Sequence, residues 1–384
     1  LLFCSDHRQG GHYGSDSGYE CDYRFHDDSL YLFNDSGLFF FGFSDAVPRQ
    51  SPRLTIGGTS SSPTGMASCH LNPPIGTAPM ARLWTPICDR LDITYPIFGF
   101  AHDVKTVAAI TNAGGFGVYG ATRRFPHEIR AELAEIRSLV GQRPFGVDLV
   151  LPPGMPEHNS RAAIEAEIPQ AHKDFVDNLI RKYNVPPATE PGMRTRFIRS
   201  AEIESEQLRA VLESDVDMFA CGIGAPPDAI AEAKARGKIT LALIGSPHHV
   251  ARSRAAGVEI LVAQGYDAGA HTGPIGTFSL VPQIVDAAGV FPVLGAGGVA
   301  TGRHITASLA MGAAGVWLGT AWLLSEEHQG HMHPVNTEKL KAAGSADTVI
   351  TRSESGKTFR QVRTAWSQEW ESAEAPDPLK MPYQ

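Results

Sequence analysis

The residues best suited to chemistry lie together at Gln264-Gly265-Tyr266-Asp267-Ala268-Gly269-Ala270-His271-Thr272-Gly273. Glycines at 265, 269 and 273 let the backbone turn tightly and approach a ligand closely. His271 offers a group whose ordinary pKa lies near neutrality, the range a general base needs. Gln264 offers an amide that both donates and accepts hydrogen bonds. The apolar run Ile260-Leu261-Val262-Ala263 just before them reads as a buried strand. A histidine on a glycine-rich loop past a strand stands where α/β enzymes place reacting groups. Position alone leaves a solvent-facing or structural histidine equally open.

Two further stretches fit an anion. Gly295-Ala296-Gly297-Gly298-Val299-Ala300-Thr301-Gly302 is glycine-rich and opens a helix at Gly302. Trp317-Leu318-Gly319-Thr320 adds a glycine amide and a hydroxyl. Backbone N–H groups at a helix start, with no side chains in the way, cradle phosphate. A phosphate-bearing cofactor is therefore expected. Asp148, near the end of an apolar run, either faces the same mouth or serves as a helix cap or ion-pair partner. His248-His249 diverge on a helix and form no two-ligand face. His328, His331 and His333 have no cysteine partner at metal spacing, and no metal is expected. The sequence carries no P-loop, G-x-S-x-G elbow or Rossmann fingerprint.

These residues need elements to position them. Short apolar runs at 95–100, 116–119, 145–150, 216–221, 239–244, 259–263, 291–295 and 315–319 read as strands. Helical spacing follows at 104–112, 126–140, 227–236, 247–256, 278–288 and 302–311. Eight βα units predict an α/β fold of the (β/α)8 TIM barrel kind over residues 81–327, with a doubly wound sheet as the other candidate. On that reading His271 follows strand 6, and the two glycine loops follow strands 7 and 8, where such barrels bind phosphate. Residues 152–200, rich in Pro and charge with a helical piece at 164–183, read as an inserted lid or subdomain. Residues 1–80 read as a disordered extension. Residues 328–384 read as a C-terminal cap segment with a helix at 337–343 and strands near 347–352 and Phe359, with truncation of the chain's end left open.

Composition narrows the function classes. The 384 residues carry a net charge of −8 with no basic block, against a nucleic-acid or anionic-membrane partner. No apolar run approaches the length of a spanning helix. Five scattered cysteines form neither a disulfide framework nor a metal site, and a reducing, cytoplasmic setting is expected.

Six motifs complete the pattern: Pro96-Ile97-Phe98-Gly99-Phe100-Ala101, Asn112-Ala113-Gly114-Gly115-Phe116-Gly117, Pro144-Phe145-Gly146-Val147-Asp148-Leu149, Gln264 to Gly273, Gly297 to Gly302 and Gly319-Thr320. With them the chain resembles the nitronate monooxygenases, FMN-binding (β/α)8 enzymes related to flavin enoyl-ACP reductases and NADH:quinone reductases. The resemblance implies FMN as cofactor and His271 as catalytic residue. It implies a cofactor site of Phe98, Gly99, Asp148, Gln264, Gly269, Gly297, Gly298, Trp317, Leu318, Gly319 and Thr320. Family members often have asparagine where Asp148 stands, glycine where Ala270 stands, and Gln-Met where Trp317-Leu318 stand. The lysine that some place near strand 5 is absent here. The implied reaction is oxidation of an alkyl nitronate or nitroalkane with O2, His271 acting as base or holding the nitronate. An NAD(P)H-dependent flavin reductase acting on quinone or enoyl thioester, and an inactive family member, are the alternatives.

Overall fold

The computed structural model describes residues 83–157, 160–189, 196–222, 224–328 and 332–384, together with four strands between residues 13 and 41. The chain forms two compact units, Leu1–Gly76 and Thr77–Gln384. In the first, strands Tyr13–Gly14, Glu20–His26, Ser29–Asn34 and Gly37–Phe41 pair in sequence order as an antiparallel sheet. The remainder of residues 1–80 lies outside the described residues.

The second unit is built on eight parallel strands: β1 (Ile97–Ala101), β2 (Phe116–Gly120), β3 (Gly146–Leu149), β4 (Met218–Cys221), β5 (Ile239–Ile244), β6 (Ile260–Gln264), β7 (Val293–Ala296) and β8 (Gly315–Leu318). They close into a barrel in which each strand pairs with the next and β8 returns to β1. Helices Val104–Asn112, Pro126–Val140, Ala201–Leu212, Pro227–Ala235, His248–Ala255, Thr277–Ala288 and Gly302–Ala310 follow β1 to β7 in turn. This is the (β/α)8 architecture. Thr106 N donates to the Asp103 carboxylate and caps the first of these helices, at 2.8 Å. Ser200 caps Ala201–Leu212 in the same way.

Strand alternation sorts side chains into two layers. Phe98, Phe116, Val118, Met218, Leu241, Val262, Leu294 and Trp317 fill the lumen. Val147, Leu149, Phe219, Ala242, Leu261 and Ala263 face the helix ring. Each fully buried lumen phenylalanine contributes roughly 1.5–3 kcal/mol of hydrophobic stabilisation. Helix Pro86–Leu91 packs Ile87, Cys88 and Leu91 against the lumen cluster. Thr85 Oγ1 donates to Ala314 O, just before β8, and Arg90 pairs with Glu259, just before β6, so this helix plugs the N-terminal end of the barrel.

The expected helix within the insertion is two helices, Arg161–Glu167 and Gln170–Lys182. Pro169 separates them, because proline disfavours helix at the residue before it. The C-terminal segment places strands Thr348–Thr351 and Phe359–Val362 in a three-stranded sheet whose third member is Ala270–His271. His328 and buried Asp103 meet at 2.6 Å, so this histidine joins the loop after β1 to the chain beyond β8. Burial pushes the Asp103 carboxyl up, but its bonds to His328 and Thr106 prevail and hold it below its ordinary value. His333 accepts from Val335 N at the start of helix Pro334–Ala342, and His331 lies outside the described residues.

Candidate functional site

The mouth of the barrel is the C-terminal end of its strands. Lumen-facing parity brings Phe100, Asp148, Gln264 and Trp317 to it, and Phe100 stacks on Trp317 with ring centroids 5.8 Å apart. Gln264 ends β6, and its Nε2 donates to the backbone carbonyl of His271 at 2.8 Å. That bond folds the loop back so that His271 lies over the strand it follows.

A remote segment holds the histidine from the other side. Ala270 and His271 pair antiparallel with Arg360 and Phe359. The His271 ring stands edge-on to Phe359, with centroids 5.1 Å apart, and its Nε2 lies 2.7 Å from Ser355 Oγ. Ser355 is buried. Thr358 Oγ1 donates to Thr272 O at 2.7 Å. Arg360 lies over the Tyr266 ring and donates to Tyr266 O at 3.0 Å. Ala270, where glycine is the family habit, has a left-handed backbone with a φ of 65°. An alanine there carries strain that glycine would not.

A cavity of about 530 Å³ opens beside His271, bounded by the ends of β5 and β6, the loop after β4 and the C-terminal segment. Gln264, His271, Thr272 and Gly273 line one wall, Gly245, Ser246, His249 and Arg252 another, and Lys357 and Thr358 a third. Among the described residues that line it there is no carboxylate. Lys357 reaches the cavity bounded by the strand 5 loop, so a cation comes from far along the chain to the region where the sequence shows no lysine. Neither Ser355 nor Lys357 was marked by a motif; their only signal was a strand pattern around Phe359.

On the other side of Gln264 lie the glycine loops. The amides of Gly298, Gly319 and Thr320 donate to no protein acceptor among the described residues. Gly297 and Gly298 have φ of 100° and 71°, values open to glycine and rare for other residues. A Cβ at Gly269 would lie 2.7 Å from Thr320 Oγ1, so the loop after β6 seats directly on the loop after β8. Asp267 Oδ2 accepts from Thr277 N at 2.8 Å, fixing the same loop to the helix that follows it. His304 Nδ1 accepts from Ala300 N and Thr301 N, at 3.2 and 3.3 Å, so those two amides are already engaged. Open backbone amides on glycine loops at a barrel mouth are the kind of group that can hold an anion.

The other expected site residues fall in different places. Phe98 is fully buried in the lumen, 5.2 Å from Phe116 between centroids, so only its backbone can approach a ligand at the mouth. Gly99 and Leu318 face outward: a Cβ at Gly99 would meet Ile110, and Leu318 packs with Val299 and Val316. Leu318 O accepts from Trp322 Nε1 at 2.9 Å. Asp148 is buried at the lumen side of β3, and its Oδ1 has no hydrogen-bond partner.

A closed parallel barrel with a histidine loop and an amide cradle at its C-terminal mouth defines a (β/α)8 enzyme. The sequence profile of the nitronate monooxygenases matches residues 86–384, and the chain belongs to that family. It is an oxidoreductase. A Mycobacterium tuberculosis protein named as a monooxygenase, Rv1533, is 41% identical over 309 residues, covering 78% of this chain and 82% of the relative. The probable nitronate monooxygenase of Bacillus subtilis is 28% identical, covering 76% of this chain and 81% of the relative. Among solved structures, nitroalkane oxidase from Streptomyces ansochromogenes matches with a TM-score of 0.62 and 26% identity, over 76% of this chain and 82% of that one. FabK from Thermotoga maritima matches with a TM-score of 0.57 and 27% identity, over 74% of this chain and 76% of that one. Among the described residues no helix is long and apolar enough to cross a membrane.

Proposed function

We propose that the protein catalyses FMN-dependent oxidation of alkyl nitronates or nitroalkanes with O2. The observation that carries this reading is His271 itself, fixed at ring and carbonyl and lining the cavity, on a loop that also seats against Thr320. The amides of Gly298, Gly319 and Thr320 fit the FMN phosphate, and Gln264 stands where a ring edge needs a partner. When bound, FMN supplies the electron acceptor; position and electrostatics come from the protein.

His271 takes the proton α to the nitro group of a neutral nitroalkane, or holds the nitronate after the proton has left. Ser355 Oγ at Nε2 fixes the ring's rotation for that transfer. Arg252 and Lys357 give the cavity positive charge, which suits a nitronate anion. The nitroalkane oxidase among the structural relatives supports the substrate class.

The test is a visible spectrum of the FMN-loaded protein followed by anaerobic titration with a nitronate and, separately, with NADH. Bleaching by nitronate supports the reading. Bleaching by NADH alone would show a flavin reductase instead, and failure to take up FMN would show an inactive member. His271→Ala should keep FMN and lose turnover of neutral nitroalkane by at least about a hundredfold, the usual scale for loss of a general base.

A further inference from the structure

Asp148 is a titratable member of the mouth whose chemistry the proposed reaction leaves unused. Its carboxyl projects to the lumen side at the C-terminal end of β3, in register with Gly120 on one side and Ala220 on the other. It is 4% exposed, and Oδ1 has no hydrogen-bond partner. A Cβ at Gly222 would lie 3.2 and 3.4 Å from its two oxygens. Gly222 lines the cavity and Asp148 does not, so the carboxyl lies behind the cavity wall at a residue that has no side chain. A buried polar atom without a partner is costly unless a ligand completes it.

Arg199, at the end of the insertion, is the cation whose charge acts on Asp148. Its Nη2 donates to Val150 O and to Glu204 Oε1, while its buried Nε has no hydrogen-bond partner, so no hydrogen bond joins it to Oδ1 of Asp148. Glu204 belongs to helix Ala201–Leu212. From β4 comes Cys221, whose thiol is pushed up by burial and by Asp148. The paired residue of β2, Gly120, brings no charge. Burial pushes the Asp148 carboxyl up to about 7, with Arg199 opposing.

We propose that Asp148 stands in this site as a carboxylic acid and donates its proton as a hydrogen bond to an acceptor on the flavin ring, making flavin affinity depend on pH near neutrality. An asparagine donates from the same place at every pH. The carboxyl donates only while protonated, and once ionised it sets a negative charge against a ring that becomes anionic on reduction. This chain therefore reads pH at a position where an amide would not. The inference rests on the FMN reading of the same site.

The test is the dissociation constant of FMN from the full chain between pH 5 and pH 9, for wild type and for Asp148→Asn. The ratio of the two constants removes the titration of the FMN phosphate itself. The expected result is a ratio that is flat at low pH and rises above neutrality toward about tenfold per pH unit, as binding to one protonated group requires. A ratio that stays flat to pH 9 overturns the proposal while leaving the FMN reading intact. No FMN binding by wild type at any pH overturns the FMN reading, and the proposal with it. Should the asparagine variant fail to fold, infrared difference spectra of wild type with bound FMN decide. A protonated carboxyl band at pH 6 that shifts when FMN binds supports the proposal, and its absence overturns it.

Discussion

His271 is held at three points: its carbonyl by Gln264, its ring by Ser355 and its strand by Phe359. Ser355→Ala removes the ring's partner and leaves the loop in place. The expected outcome is about a tenfold fall in kcat on neutral nitroalkane, the size of one lost hydrogen bond, with little change on preformed nitronate. Steady-state kinetics on the two substrate forms check this. Lys357→Ala should raise KM for nitronate roughly two- to fivefold, the modest effect of an exposed charge, and leave kcat unchanged. Ala270→Gly should stabilise the fold by about 0.5–1 kcal/mol, because relief of left-handed strain outweighs the glycine's extra chain entropy. Chemical denaturation measures it. His271 and Gln264 were legible in the sequence because they share one short motif with the glycines that shape it. Ser355 and Lys357 were not, because a strand pairing 84 or more positions away delivers them, and pairing partners leave no local spacing.

The element that matters most for the site is the small sheet of Ala270–His271, Phe359–Val362 and Thr348–Thr351. Arg360 clips it to the loop after β6 through Tyr266 O and to its neighbouring strand through Thr348 Oγ1. Arg360→Ala should raise hydrogen exchange across residues 266–272 and leave the barrel strands protected, since local opening follows the loss of local bonds. These C-terminal strands were legible in the sequence, but their partner was not. Helix Ala201–Leu212 was not legible either. That helix buries Gln207 and Ala210 beside Ile203 and Val211, and a polar and a small residue on the inner face blur the apolar stripe. The barrel strands were legible because each is short, apolar and bounded by glycine or proline, with a helix-length gap to the next.

At the scale of the whole molecule, the buried carboxyl of Asp148 gives flavin-free stability a pH slope. Its pKa in the folded chain is raised to about 7 from 3.8, so between those values the folded state holds a proton that the unfolded state has released. Stability is therefore greatest below the unfolded value and falls as pH rises toward 7. The full difference is on the order of 4 kcal/mol. Asp148→Asn should abolish this slope and raise the melting temperature at pH 8 more than at pH 4, as calorimetry of the FMN-free protein would show. The closed barrel was legible as eight repeats, because a count survives errors in any one boundary.

The pairing of His271 with Phe359 also bears on how the protein is made. All eight barrel strands have left the ribosome once Leu318 is through, yet the strand that orients His271 arrives some 41 residues later. At ordinary elongation rates that interval lasts roughly 2–8 s. During it the nascent chain holds the sequence of a whole barrel with its histidine loop unpaired. The orientation of His271 is thus acquired near the end of synthesis, after the scaffold's own sequence is complete.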